Sequence, residues 1–411
     1  MTIQRYLGNK SQICNDIVAL TKSVASDGDV VFDAFSGSLA VSRALKSAGF
    51  KVACNDINHF SWLYARAYIS ASELPWPDGP RSRGGKTKAA CWSELIEELT
   101  EPYGKEIPIQ SRRSDIFDHY CEAGPKSSFV SLRGSAGRRR FFSAENARAI
   151  DRALSRIRLW HRTGVIGEHV RCLLGASLLS AVERVSNTQG TYHDFPRSFT
   201  DPRALNPIRL LSPCAEDFSG PASAFIGKAE DSLLFAQTIP SHRVVYIDPP
   251  YNFRQYTSYY FMLNMLSMYP EIDDIDGFFS NIEHVRGQNM GVDFKSTFCS
   301  KQKFIPSLEL LIERTDAKYV ILSYFNGRNH WGSFKSDNDQ SGRVHLEKLF
   351  RGPLFVEGSF RCSPINRMNY QSYGGFKSQE VQEFLFIAEK RRVAPRMSRG
   401  GAKQWIGQVS G

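Results

Sequence analysis

Residues 29–58 constrain the fold more than any other stretch. Asp29 to Phe35 reads Asp-Val-Val-Phe-Asp-Ala-Phe, a short apolar run that ends in Ser36-Gly37-Ser38. Leu39, Val41, Leu45 and Ala48 follow at helical spacing and Gly49 stops them, before Lys51–Asp56 gives a second short run ending in an acid. Strand, glycine turn, helix, strand, acid is the order of a βαβ unit, which requires a parallel sheet with helices packed on it. The pattern returns late in the chain. Arg243–Asp248 and Lys318–Tyr324 read as buried strands, and Glu383–Ala388 reads as a closing strand. The expected class is α/β with a Rossmann-like sheet.

The middle of the chain breaks this rhythm. Pro75-Trp76-Pro77-Asp78-Gly79-Pro80 is a breaker cluster, and Arg81–Lys88 is basic and glycine-rich. Further on, Ser143 is placed to cap a helix carrying Ile150, Leu154, Ile157 and Trp160. Gly167 opens another, with Val170, Leu173, Leu174, Leu178, Val182 and Val185 on one face. Residues 1–78 and 228–390 are therefore expected to form one α/β domain, with 79–227 a mainly helical insertion. Past Glu389 there is no acid, whereas Lys390, Arg391, Arg392, Arg396, Arg399 and Lys403 lie among small residues. The segment 391–411 is expected to be a disordered basic tail able to touch phosphates.

Charge and cysteine usage narrow the setting. The 411 residues carry a formal charge of +10, which suggests a polyanionic partner such as nucleic acid, although many proteins carry such a charge without one. The eight cysteines include no Cys-x-x-Cys pair, which argues against a zinc knuckle or redox pair and fits reduced thiols. Four sit beside apolar neighbours and read as core residues. No apolar stretch follows a basic start and no run approaches a membrane span, so an intracellular, cytoplasmic protein with no membrane partner is expected.

The strongest chemical signal is Asp248-Pro249-Pro250-Tyr251 at the carboxyl end of a strand, where open α/β sheets bind ligands. The lone pair of an amino group on an aromatic ring is delocalised, so that nitrogen is a poor nucleophile. A carboxylate and a fixed carbonyl that both accept from it favour a more pyramidal nitrogen. Two prolines stiffen the loop and remove two backbone donors, and Tyr251 offers a flat ring on which a base can stack. Asp-Pro also opens ordinary surface turns, but Asn252-Phe253-Arg254-Gln255-Tyr256 keeps polar and aromatic groups at the same rim.

Two further segments join it. Gly37 lets the backbone after the first strand approach a ligand, and Asp56 at the next strand end is placed for ribose hydroxyls. Alone, this describes a nucleotide-like cofactor or an empty glycine turn. Arg5-Tyr6-Leu7-Gly8-Asn9-Lys10 offers an aromatic ring and a lysine, and by itself reads better as a basic N-terminal turn until it is joined to the other two motifs.

In this order the three segments resemble the DNA adenine methylases whose target-recognition segment precedes the Asp-Pro-Pro-Tyr motif. Ser186-Asn187-Thr188-Gln189-Gly190-Thr191-Tyr192 also resembles a family segment. The resemblance implies a Rossmann-like methyltransferase sheet with an inserted helical target-recognition domain. It also implies transfer of a methyl group from S-adenosylmethionine to the N6 amino group of adenine in a specific duplex DNA sequence. Asp248, Pro249, Pro250 and Tyr251 are then the catalytic segment. Tyr6, Lys10, Asp33, Phe35, Gly37, Asp56 and Asp248 contact the cofactor. Asp231 is matched to an acid near the cofactor's adenine, and a solvated helix start describes it equally well.

Arg138, Arg139 and Arg140 are expected phosphate contacts or a solvated surface cluster, and no metal is expected. Double-stranded DNA is the expected partner, with a cognate restriction endonuclease as a possible second. Leu39 departs from the family, which usually has a second glycine there, and is expected to crowd the cofactor's tail. Two alternatives stay open: a non-catalytic DNA-binding protein on this fold, and an amino-methyltransferase acting on RNA or cytosine.

Overall fold

The computed structural model describes residues 5–78, 85–193, 195, 198–199, 202–325, 330–331, 341–368 and 380–391. Among the described residues eight strands are formed: β1 (Val30–Asp33), β2 (Lys51–Cys54), β3 (Ser128–Val130), β4 (Ala136–Arg138), β5 (His242–Ile247), β6 (Ala317–Phe325), β7 (Arg361–Met368) and β8 (Glu380–Glu389). Six of them build one sheet in the order β2-β1-β5-β6-β8-β7, and β3 and β4 make a separate hairpin. β2, β1, β5 and β6 run parallel, whereas β8 is antiparallel to both β6 and β7. The reversal at β8 decides what reaches the site.

Helices cover both faces. In chain order they are α1 (Cys14–Lys22), α2 (Ala40–Ser47), α3 (His59–Tyr68), α4 (Lys88–Thr100), α5 (Asp115–Tyr120), α6 (Ala144–Arg162) and α7 (Glu168–Val185). They continue with α8 (Ser232–Phe235), α9 (Tyr256–Tyr259), α10 (Phe261–Met268), α11 (Ile275–Ser280), α12 (Lys301–Arg314) and α13 (Ser341–Phe350).

Strand alternation sorts the core into two layers, because successive side chains point to opposite faces. Val31, Val52, Val244, Tyr246 and Ile321 pack with α1, α2, α3, α7 and α10. Phe32, Ala53, Val245, Ile247 and Leu322 pack with α8, α12 and α13. Both expected helix starts are present. Ser143 accepts from the Asn146 N–H at the start of α6, and Gly167 stands at the N-cap of α7.

The segment 79–227 is not wholly helical. It carries the β3–β4 hairpin, and its buried side chains join the sheet's own core without a break. α7 lies close on α3: a Cβ at Gly175 would come within 2.8 Å of Leu63 Cδ1, and the Tyr64 hydroxyl meets Ser180 Oγ at 2.7 Å. Cys54, Cys121, Cys172 and Cys299 are the four buried cysteines. Among the described residues no helix is long and apolar enough to cross a membrane. Of the basic tail only Arg391 is described. It still pairs its backbone with Leu354, as Lys390 does with Lys318, and 392–411 lie outside the described residues.

Candidate active site

The carboxyl ends of the parallel strands converge on two adjoining cavities. The wider cleft, about 710 Å³, is walled by Asp56, Asp231, Asp248, Pro249, Pro250 and Tyr251 together with residues of two later segments. An inner cavity of about 270 Å³ is lined by Lys10, Asp33, Gly37 and Ser38. Tyr6, Phe35 and Asp248 line both. Every expected catalytic and cofactor residue therefore sits at one sheet edge.

Local geometry explains why these residue types stand there. Gly37 has φ +47°, and a Cβ on it would lie 2.8 Å from the Tyr6 ring. Its N–H donates to Asp56 Oδ2 at 2.9 Å, while Asp56 Oδ1 accepts from the Asn58 backbone at 2.9 Å and from its side chain at 2.8 Å. Asp33 is buried. One of its oxygens accepts from Ser42 at 2.6 Å, and Oδ1 has no hydrogen-bond partner in the structure. Burial lifts the Asp33 carboxyl to about 7, against the pull of that hydroxyl. Tyr6 stacks on Tyr260 at 4.7 Å, and Phe35 meets Phe298 edge-on at 4.9 Å.

Asp248 follows β5 directly. Burial pushes its carboxyl up to about 6, opposed by Lys10 and supported by the negative charge of Glu383. Lys10 Nζ lies 2.9 Å from Asp248 Oδ1 and 3.1 Å from Glu383 Oε1. Those two carboxylates outweigh the effect of burial on the ammonium and hold its pKa well above the usual range. The Lys10 ammonium also lies 5.3 Å from the centre of the Tyr251 ring, and burial raises the Tyr251 hydroxyl to about 12.

Thr257, Phe294, Ser296 and Phe298 of the wall were not marked by the sequence. Ser296 N–H donates to Gln255 Oε1 at 2.9 Å, and Thr257 Oγ1 donates to Asp293 Oδ1 at 2.7 Å. These bonds fold the 288–300 segment over the exit of the Asp248–Tyr251 loop. The Ser186–Tyr192 segment docks on the same side, its Tyr192 N–H donating to the Tyr259 carbonyl at 2.8 Å. Arg5 ties that segment to the N-terminus through Glu183, the Thr188 carbonyl and Ser186. Glu383 was visible in the sequence only as the start of a strand.

Two expectations need correction. Arg139 is not a surface cation. It is buried, and four of its five guanidinium N–H groups donate to the carbonyls of Val285, His119, Lys126 and His284, which commits it to the interior rather than to a phosphate. Arg138 is exposed at the end of β4, and Arg140 pairs with Glu122. Leu39 does not crowd the cleft. Its φ of +62° turns its side chain into the core, where it is 1% exposed, and it lines neither cavity. Asp231 stands at a helix start and at the cleft. It caps α8 by accepting from the Leu233 N–H, and it lines the wide cleft.

A family model described as D12 class N6 adenine-specific DNA methyltransferase matches residues 6–305. The chain is 29% identical over 390 residues to the type II methyltransferase M.NlaIII of Neisseria lactamica, covering 94% of this chain and 99% of that protein. It is 26% identical over 391 residues to the modification methylase StsI of Streptococcus sanguinis and 25% identical over 408 residues to the type II methyltransferase M.FokI of Planomicrobium okeanokoites. It covers 94% and 98% of itself in those two matches, but spans only 52% and 55% of their length.

Proposed function

The chain belongs to the D12 class of N6 adenine-specific DNA methyltransferases, and on that premise we propose that its methyl donor is S-adenosylmethionine, held across the two cavities. The single observation that carries this reading is the meeting of Tyr6, Asp33, Gly37, Asp56 and Asp248 at one sheet edge. These residues fit such a donor. Asp33 Oδ1 is a buried acceptor lacking a donor, suited to an ammonium group. Gly37 lets backbone approach closely, and Phe35 with Phe298 gives apolar faces for a purine. Asp56 keeps lone pairs beyond those its neighbours use, and these can take ribose hydroxyls.

Bound there, the donor supplies a methyl group on a positively charged sulfur, which the amino nitrogen's lone pair takes while the carbon–sulfur pair stays on sulfur. The chain's own residues prepare the nitrogen. Tyr251 supports the flipped adenine, and Asp248 and the Pro249 carbonyl each accept one N–H. The loop's prolines keep that carbonyl fixed at little entropic cost. The surplus proton passes to Asp248 and then to water.

Residues 1–78 and 228–390 form the catalytic part in this reading, and 79–227 carries target recognition on duplex DNA, with Arg138 and Arg140 against phosphates. The names of the relatives support a place in a restriction–modification system beside a cognate endonuclease. The test is label transfer from S-adenosylmethionine to matched duplex DNA, single-stranded DNA and RNA, with binding of the same donor measured on Asp33→Asn. The expected result is N6-methyladenine in duplex DNA and donor binding weakened about tenfold or more by the substitution. Donor affinity unchanged in Asp33→Asn, or label carried mainly by RNA, contradicts it.

A further inference from the structure

Four charged side chains alternate in sign along the carboxyl edge of the sheet: Arg367, Glu383, Lys10 and Asp248, the middle two buried and the outer two partly covered. Arg367 Nε lies 2.7 Å from Glu383 Oε2, and the Ser323 hydroxyl donates to Glu383 Oε1 at 2.6 Å. That same oxygen is 3.1 Å from Lys10 Nζ, which in turn is 2.9 Å from Asp248. Two cations and two anions sum to zero, which is what makes so deep a set tolerable. Glu383 and Arg367 line neither cavity, and with Ser323 they come from β6, β7 and β8, beyond residue 305 where the family match ends.

Why a second carboxylate should stand behind Lys10 follows from competition for Asp248. An ammonium 2.9 Å away in a poorly solvated site is a far stronger partner than a neutral amino group. Paired with Lys10 alone, Asp248 would be a weakened acceptor. Glu383 pulls on the same ammonium at a similar distance, and Arg367 and Ser323 keep Glu383 ionised there. Burial would raise its pKa, but Lys10 and Arg367 bring it below the usual value.

We propose that Glu383 is a positioning residue, fixing Lys10 between two carboxylates and sharing its charge so that Asp248 stays open to the adenine amino group. This rests on the catalytic reading of Asp248 above. Besides these groups, Asp33 from β1, Asp56 after β2, Tyr246 from β5, Tyr251, Tyr256 from α9 and Tyr6 surround the same centre.

The test is single-turnover methylation of duplex DNA at saturating S-adenosylmethionine across pH, comparing the intact protein with Glu383→Gln, Glu383→Asp and Asp248→Ala. Glu383→Gln should slow transfer about 10- to 100-fold at neutral pH while leaving donor and DNA affinities within about threefold. Its acid limb should move down by about one pH unit, because the undivided Lys10 charge then falls on Asp248. Glu383→Asp, which keeps the charge, should recover most of the rate. If Glu383→Gln does not fold, the double variant Glu383→Gln/Arg367→Met removes both charges of that pair and should show a smaller shift in the same direction, because Arg367 opposes Glu383 at Asp248. A folded Glu383 variant with unchanged rate and acid limb, beside an inactive Asp248→Ala, overturns the proposal alone. An active Asp248→Ala overturns the reading beneath it.

Discussion

Asp248 is held between burial, which favours its neutral form, and Lys10, which favours its carboxylate, and settles at about 6. The neutral acid is a weaker acceptor for the amino N–H and cannot take the surplus proton, so activity should be lost as pH falls and the site protonates. Asp33, lifted by burial to about 7, protonates over the same range. The kcat/KM profile should therefore fall on its acid side near pH 6–7, and more steeply than one proton allows. A profile flat down to pH 5 would contradict the assignment. Leu39 offers a second test. Its left-handed backbone costs about 1–2 kcal/mol, while its buried side chain contributes about 1.5–3 kcal/mol. Leu39→Gly should thus lower the melting temperature modestly and leave S-adenosylmethionine affinity unchanged. Clearly tighter binding in that variant would mean the side chain does obstruct the cofactor.

Among the elements, what was legible in the sequence followed from burial. β1, β5 and the core of β8 are apolar runs covered on both faces, and such runs announce themselves. β7 did not. It is an edge strand whose residues alternate between exposed and partly covered positions, and Pro364 interrupts it as an edge tolerates. The same limit applied to the site. Asp248–Tyr251 is contiguous and readable, but Glu383 gains its place only because β8 runs antiparallel to β6, bringing its first residues alongside Phe325 at the end of that strand. No local pattern encodes strand direction, although a glutamate opening a fully buried run was a signal that a partner must exist. Position within an element also separates the three adjacent arginines. Arg139→Ala should destabilise the protein by about 2–3 kcal/mol, because four carbonyls lose their donor. Thermal melting would show this, and an unchanged melting temperature would return Arg139 to the surface cluster. Arg138→Ala should melt almost normally.

On the scale of the whole molecule, the charge of +10 and the placement of the site describe one division of labour. In the proposed reading the sheet edge carries the chemistry, and the region between β2 and β5 carries exposed cations such as Arg138. DNA affinity should fall steeply with salt, and Arg138→Ala should reduce the slope of that dependence by about 1 without changing the preferred sequence. A slope equal to that of the intact protein would remove Arg138 from the phosphate contacts. The account as a whole stands on Asp248 holding an adenine amino group against a bound methyl donor. The most direct test is a single-turnover assay of Asp248→Ala with labelled S-adenosylmethionine, after confirming that the variant still binds the donor. The account predicts retained binding and loss of nearly all N6-methyladenine formation. Methylation at close to the intact rate would contradict it.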